Sequence, residues 1–285
     1  MNEADILRQY RKAMFLTAYP HKTAHLASAF SIAEVMYVLY RKGILRYRPQ
    51  EPDWPDRDRF ILSKGHAALA VYVMLRDIGV LSDARLSTFC RPVENALGGE
   101  LHPLETPGVE AATGSLGHGL GFGVGCAMAQ KSDRSEAQVY VLVGNGELGE
   151  GVIWESVMAA HKFALDNLTV ILDDNKLQKM GLTSDIMRIT SWADKWRAFG
   201  WTVEEVEDGH DVEALTAALS KKNTSGEPRV IIAHTVKGKG VSLMEHNPDW
   251  HFKMPYKKEL KTFMEELDIS EQELEDAKVV LDDIV

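Results

Sequence analysis

Apolar side chains return at helical spacing in two stretches near the start of the chain: Ile6, Leu7, Tyr10, Met14 and Phe15 between Glu3 and Thr17, then Ile32, Val35, Met36 and Leu39 between Ser31 and Tyr40. Each stretch predicts a helix with one buried face. Arg57 to Leu62 lead into SKGH, where Ser63 is placed to cap a third helix carrying Ala67, Ala68, Val71, Met74 and Leu75. The pattern then changes to two unbroken apolar runs, Val139 to Val143 and Leu168 to Leu172. Between them lies a helix of small and apolar residues, in which Trp154, Met158 and Phe163 read as core. Runs of that kind, buried on both faces, belong to parallel strands. A helix from Asp185 to Phe199 follows, with Trp192 and Trp196 one turn apart as a packing pair. Strands at Thr202 to Val206 and Arg229 to His234 flank a helix from Asp211 to Ser220. The tail opens at Ser270 with a capping box completed by Glu273 and continues as a helix ending near the terminus. Together these predict one α/β domain over 1–285, a doubly wound, mostly parallel sheet flanked by helices.

Composition changes this picture little. A chain of 285 residues, 45% hydrophobic and 26% charged, without a long low-complexity or proline-rich linker, is ordinary for a soluble globular protein. The net charge of −10 argues against nucleic acid and anionic membrane as partners, because both require basic surfaces. Cys90 and Cys126 stand in no CxxC pattern, so neither a zinc site nor a disulfide framework is suggested. The opening MNEADILRQYRK has no apolar signal core and no apolar run approaches membrane length, so the expected location is the cytoplasm.

The chemistry gathers where the two apolar runs end, at GNGELG and at Asp173, Asp174 and Asn175. Adjacent parallel strands end at the same edge of their sheet, which brings Asn145 and Asn175 side by side. GNGELG is a literal dinucleotide fingerprint. In that motif, however, an acid for the ribose stands about 20 residues on, and Asp173 falls later. Glu147 and Glu150 would also repel a bare pyrophosphate. A cation between protein and phosphate removes that objection, since magnesium takes about six hard oxygens and usually draws only one or two from protein. The amide oxygens of Asn145 and Asn175, with the main-chain carbonyl of Leu177, suit this role. His66, near free amide groups at a helix start, is placed to meet a phosphate, and Lys237 and Lys239 stand on a glycine loop after the last strand.

The GNG turn, closed by an asparagine after the next strand, is one of several words in a fixed order. The others are HLASAFSIAE from His25, SKGHA from Ser63 to Ala67, LHP, TPG and TGSLGHGLG between Leu101 and Gly121, and HTVKGKG with WHFK from His234 to Lys253. Over most of its length the chain resembles the N-terminal half of a transketolase. The resemblance implies the thiamine diphosphate-binding fold, with thiamine diphosphate and Mg2+ or another divalent cation as cofactors, and Asn145, Asn175 and Leu177 as metal ligands. It implies catalytic roles for four histidines: His25 and His102 toward substrate hydroxyls, His66 and His251 toward phosphate charge and proton movement. Cofactor contacts are implied for Ser28, His66, Gly146, Asn175, Lys237 and His251, and for the backbone of Gly114, Ser115 and Leu116 against the aminopyrimidine ring. Glu150, and with it Glu155, is implied at a subunit interface that links two cofactor sites; His118 is expected to be structural.

Four positions depart from the family pattern. Asn145 stands where a metal-binding aspartate is usual and drops a full charge beside the ion. Ala24 and Ala27 replace glycines, and Phe252 replaces the glycine after His251 and narrows the entrance. The glutamate that activates the coenzyme and most sugar-phosphate ligands belong, in transketolases, to a second domain that this chain stops before. The expectation is therefore the N-terminal subunit of a two-subunit enzyme, inactive alone, paired with a C-terminal transketolase-like subunit that supplies that glutamate in an α2β2 heterotetramer. It would transfer a two-carbon ketol unit from a ketose, free or phosphorylated, to an aldehyde. The competing expectations are a specialised thiamine diphosphate-dependent carboligase of secondary metabolism and a non-catalytic assembly subunit. Deoxyxylulose phosphate synthase, normally a much longer chain, and the α subunit of a 2-oxo acid dehydrogenase, without the SKGH and WHxK words, rank below them.

Overall fold

Alternation along five strands sorts the core into two layers. In the computed structural model, which describes residues 1–21 and 24–279, β1 (Arg59–Leu62), β2 (Val139–Gly144), β3 (Leu168–Asp174), β4 (Thr202–Val206) and β5 (Arg229–His234) form one sheet. Their order is β1-β2-β3-β5-β4 and every pairing is parallel. Every residue of β2 and β3 is buried, as strands covered on both faces require. Tyr140, Leu142, Ile171 and Ile231 serve one layer; Val139, Val141, Val143, Val170 and Ile232 serve the other.

The first layer is closed by α1 (Glu3–Ala18), α2 (Leu26–Phe30), α3 (Ala33–Tyr40), α4 (Ala68–Asp77) and the short α5 (Asp83–Leu86). The second is closed by α6 (His118–Ser132) and α7 (Gly151–Lys162), then, after a single turn α8 (Thr183–Ile186), by α9 (Trp192–Ala198). The chain returns to the first layer with α10 (Val212–Ser220), α11 (Lys258–Leu267) and α12 (Glu271–Val279). Helices therefore lie on both faces, the doubly wound arrangement. In α6, Gly119 and Gly123 face the sheet, and a Cβ on either would stand 2.6 Å from Ser63 or 2.3 Å from Val141. Glycine there lets the helix lie directly on β1 and β2. Among the described residues, no helix is long and apolar enough to cross a membrane.

Several local expectations are corrected. The helix expected from Ser31 begins at Ala33, because the Ser31 hydroxyl turns back to the Ser28 carbonyl at 3.1 Å and on to Asp173 at 2.9 Å, interrupting the helix after α2. Ser63 caps no helix; its hydroxyl donates to Glu147 at 2.7 Å, and a 3-10 turn, Gly65–Ala67, precedes α4. The helix expected from Asp185 to Phe199 is two pieces, because Ser191 caps a fresh start by accepting from the Asp194 N–H at 3.0 Å. Met158 and Phe163 are each 50% exposed rather than core, since they face away from the sheet on α7. The Ser270–Glu273 capping box is formed, and its helix is described to Val279; its expected continuation to the terminus lies outside the described residues.

Two buried carboxylates tie the strand ends to the surrounding loops. Asp173, near the end of β3, accepts from Lys64 Nζ at 2.5 Å, Ser31 Oγ at 2.9 Å, Asn175 Nδ2 at 2.8 Å and the Thr235 hydroxyl. Burial pushes its pKa up, but the Lys64 ammonium and the hydrogen bonds outweigh burial and hold the carboxyl below its usual range. Glu147 accepts from Ser63 Oγ at 2.7 Å, Gly117 N at 2.8 Å and Gly144 N at 2.9 Å. Lys64 and Asp173 are each 1% exposed, so removing one partner strands the other's charge. Lys64→Met or Asp173→Asn alone should lower the urea-unfolding free energy by about 3–5 kcal/mol. The double variant should lose less than the sum of the two; additive losses would show that the two groups are not coupled.

Candidate functional site

Four strands deliver polar groups to the carboxyl edge of the sheet. After β1 come Lys64 and, in the 3-10 turn, His66; after β2, Asn145 to Glu147; after β3, Asn175 to Lys179; after β5, Lys237. They line a cavity of about 400 Å³, a size usual for small-molecule sites. His25 and Ser28, at the start of α2, and His251 close it from the other side.

Most of the residues expected at a site are brought together here: His25, Ser28, His66, Gly114 and Leu116; Asn145, Gly146, Glu150, Asn175 and Leu177; Lys237 and His251. His102 and Ser115 are not among the lining residues. His102 sits on the preceding loop, its Nδ1 accepting from the Leu104 N–H at 3.3 Å, and the Ser115 hydroxyl is turned to His118 at 3.2 Å. Glu150 reaches the rim as the N-cap of α7, and Glu155 is exposed one turn later.

The orientation of Asn175 follows from its partners. Its Nδ2 donates to the Asp173 carboxylate at 2.8 Å and its Oδ1 accepts from the Leu177 N–H at 3.1 Å, so an acceptor-only and a donor-only group fix which end is oxygen. One lone pair of that oxygen is left. Asn145 donates through Nδ2 to Thr183 Oγ1 at 2.9 Å, which leaves its oxygen to offer. Among the described residues, no three His, Cys, Asp or Glu side chains are grouped to hold a metal. The donor set is two amide oxygens and the backbone of Leu177, hard but uncharged, which suits a cation that brings its own anion.

The imidazoles form a cluster. Ring centroids of His25 and His66 are 5.2 Å apart, those of His25 and His251 5.2 Å, and those of His66 and His251 5.7 Å; Phe252 lies against His25 at 4.5 Å. Burial, then neighbouring positive charge, pushes their pKa values down to about 4 for His25, about 2 for His66 and about 3 for His251. All three rings are neutral at physiological pH. Lys237 is 2% exposed and places Nζ 2.9 Å from His251 Nδ1. An ammonium only donates, so His251 Nδ1 accepts and Nε2 carries the ring proton. Burial and the nearby Lys64 lower the Lys237 pKa to about 8.

Sequence reasoning gave no role to Lys64, Glu147 and Glu100. A lysine directly after the apolar run FIL is itself a signal, because a charge at a buried strand end demands a counter-charge. Glu147 is legible only in three dimensions, since its donors come from three separate segments. The Glu100 carboxylate occupies the space beside Gly114, where an added Cβ would stand 1.8 Å from its oxygen, and Gly114 also has φ +142°. Both facts require glycine there.

Residues 12–275 match the family model of the transketolase, thiamine diphosphate binding domain. One of the two apulose-4-phosphate transketolase subunits of Phocaeicola vulgatus is 41% identical over 251 residues, 86% of each chain. The subunit of the same name from Actinobacillus succinogenes is 40% identical over 259 residues, 90% of this chain and 92% of its own. The solved transketolase of Campylobacter jejuni superposes with a TM-score of 0.83 at 28% identity, over 99% of this chain but only 47% of its own. This chain thus spans less than half the length of that solved enzyme. With the cavity, the strand-end amides and the family match in agreement, the chain belongs to the transketolase N-terminal family of thiamine diphosphate-binding domains.

Proposed function

We propose that the chain is the coenzyme-holding subunit of a two-subunit transketolase, acting on a sugar or sugar phosphate with a C-terminal partner that supplies the activating glutamate. The observation that carries this reading is the convergence of two oriented asparagine amides and a buried, uncompensated lysine on one cavity at the sheet edge. The relatives named as transketolase subunits support the divided architecture, and the phosphate in their name supports the substrate class. An α2β2 assembly and Mg2+ or another divalent cation at Asn145, Asn175 and Leu177 belong to the same proposal. Phe122, Met128, Met158 and Phe163, exposed on α6 and α7, supply an apolar face for contact between subunits.

Thiamine diphosphate, when bound, supplies the electron sink for breaking a carbon–carbon bond beside a carbonyl. The chain's own contribution is charge and position. Lys64 is neutralised by Asp173, so Lys237 is the buried cation left to face a diphosphate. The neutral rings of His25, His66 and His251 each keep one donor and one acceptor for substrate hydroxyls and proton movement. His102 serves in this reading from the loop above the cavity rather than from its wall. Phe252 against His25 favours the second reading, a carboligase with a restricted acceptor.

Mixing the chain with its C-terminal partner, thiamine diphosphate and Mg2+ should give ketol transfer that neither polypeptide gives alone. No transfer from any ketose phosphate, together with no coenzyme heat in calorimetry, overturns the proposal. Asn145→Asp should tighten Mg2+ binding by about tenfold through the added charge; unchanged or weaker retention removes Asn145 as a ligand. Asn175→Ala should release the cofactor, and full retention would contradict the site. Lys237 is charged below about pH 8 and loses its proton above it, so coenzyme affinity should fall as pH rises through that value. Lys237→Arg, charged throughout, should abolish the decline, and a decline that persists would assign it to another group.

A further inference from the structure

Lys237 enters the cavity on a loop with three fastenings. The Thr235 hydroxyl donates to Asp173, and the Gly238 N–H donates to the Ala27 carbonyl at 3.0 Å. Between them the Val236 N–H finds no backbone partner and donates instead to Nε2 of His210 at 2.8 Å. His210 belongs to the turn between β4 and α10 and is not among the residues that line the cavity.

The partners of His210 dictate its tautomer. A main-chain N–H only donates, so Nε2 is bare; Nδ1 meets the Glu34 carboxylate at 2.9 Å, so Nδ1 carries the proton. The ring, 7% exposed, has both nitrogens committed. Glu34 is held in turn by Arg11, whose guanidinium donates to its two oxygens at 2.7 and 2.8 Å and to the Phe30 carbonyl at 3.1 Å. Burial pushes the Glu34 pKa up, but Arg11 and His210 outweigh it and keep the carboxyl below its usual range. An unbroken series of polar contacts thus runs from α1 through α3 and the β4–α10 turn to the residue before Lys237.

We propose that His210 is a positioning residue for the cavity: it links the buried Arg11–Glu34 pair to the main chain at Val236 and so sets where Lys237 stands. The proposal rests on the functional reading only for what Lys237 meets. Without the link, the Val236 N–H would need another acceptor, and the loop would have to turn to find one.

Three measurements on the full chain test this. The nitrogen-15 spectrum of the wild-type protein should show His210 protonated at Nδ1 and bare at Nε2; the opposite tautomer overturns the proposal. Amide exchange at Val236 should be slow in the wild type and in His210→Gln, whose oxygen accepts and nitrogen donates in the same sense. In His210→Leu exchange should be about tenfold faster. With Mg2+ and the C-terminal partner present, thiamine diphosphate affinity should fall about tenfold in His210→Leu and stay within about threefold in His210→Gln. A leucine variant indistinguishable from wild type in both readouts, or a glutamine variant as impaired as leucine, refutes the role. If the leucine variant fails to fold, the wild-type tautomer and the glutamine variant decide. If wild type itself binds no coenzyme, the functional reading falls alone and the exchange data still decide His210.

Discussion

The carboxyl edge of the sheet depends on one buried ion pair, Lys64 with Asp173. Two charges taken out of water are costly unless every remaining lone pair and proton is satisfied. Here the satisfaction comes from segments far apart in the chain: Ser31 before α3, Asn175 after β3 and Thr235 after β5. The carboxylate is stable only when all of them have arrived, which makes the edge assemble as a unit. Asn175 shows what this does for the site. The interaction that satisfies Asp173 also turns the Asn175 oxygen toward the cavity, so the buried charge and the outward-facing ligand atom are settled by one contact.

Glu147 acts in parallel on the other side of the GNG turn, gathering Ser63, Gly117 and Gly144 around a carboxyl whose pKa burial raises. The two acids divide the work. Asp173 fixes β1, β3 and β5 relative to α2, and Glu147 fixes the TGSLG loop relative to β2. Around them the cavity is electrostatically simple: imidazoles stripped of charge by burial, a lysine already paired, and Lys237.

Much of the architecture was legible because its causes are local. Unbroken apolar runs gave all of β2 and β3, and alternating strand and helix signals gave the doubly wound sheet; the edge shared by adjacent parallel strands put Asn145 near Asn175. The errors fall where a distant partner overrules a local preference. Ser63 and Ser31 have the composition of helix caps, yet their hydroxyls are drawn to Glu147 and Asp173. Ser191 did what its type predicts, but the continuous apolar pattern around it hid the break between α8 and α9. Met158 and Phe163 look like core in any single-chain reading, and nothing local distinguishes an apolar face that packs on the sheet from one that does not. The histidines at the cavity were legible as words in a familiar order, whereas their neutrality was not, since it arises from burial by segments separated in sequence.

The pair of amides at the strand ends has a consequence for the order of events. Neutral oxygens offer a divalent ion no opposing charge, so in the proposed reading such a place has little hold on a free cation. Ion and coenzyme would then load together as a single chelate, and the occupancy of the protein would track the supply of the vitamin derivative while remaining indifferent to ordinary swings in free magnesium.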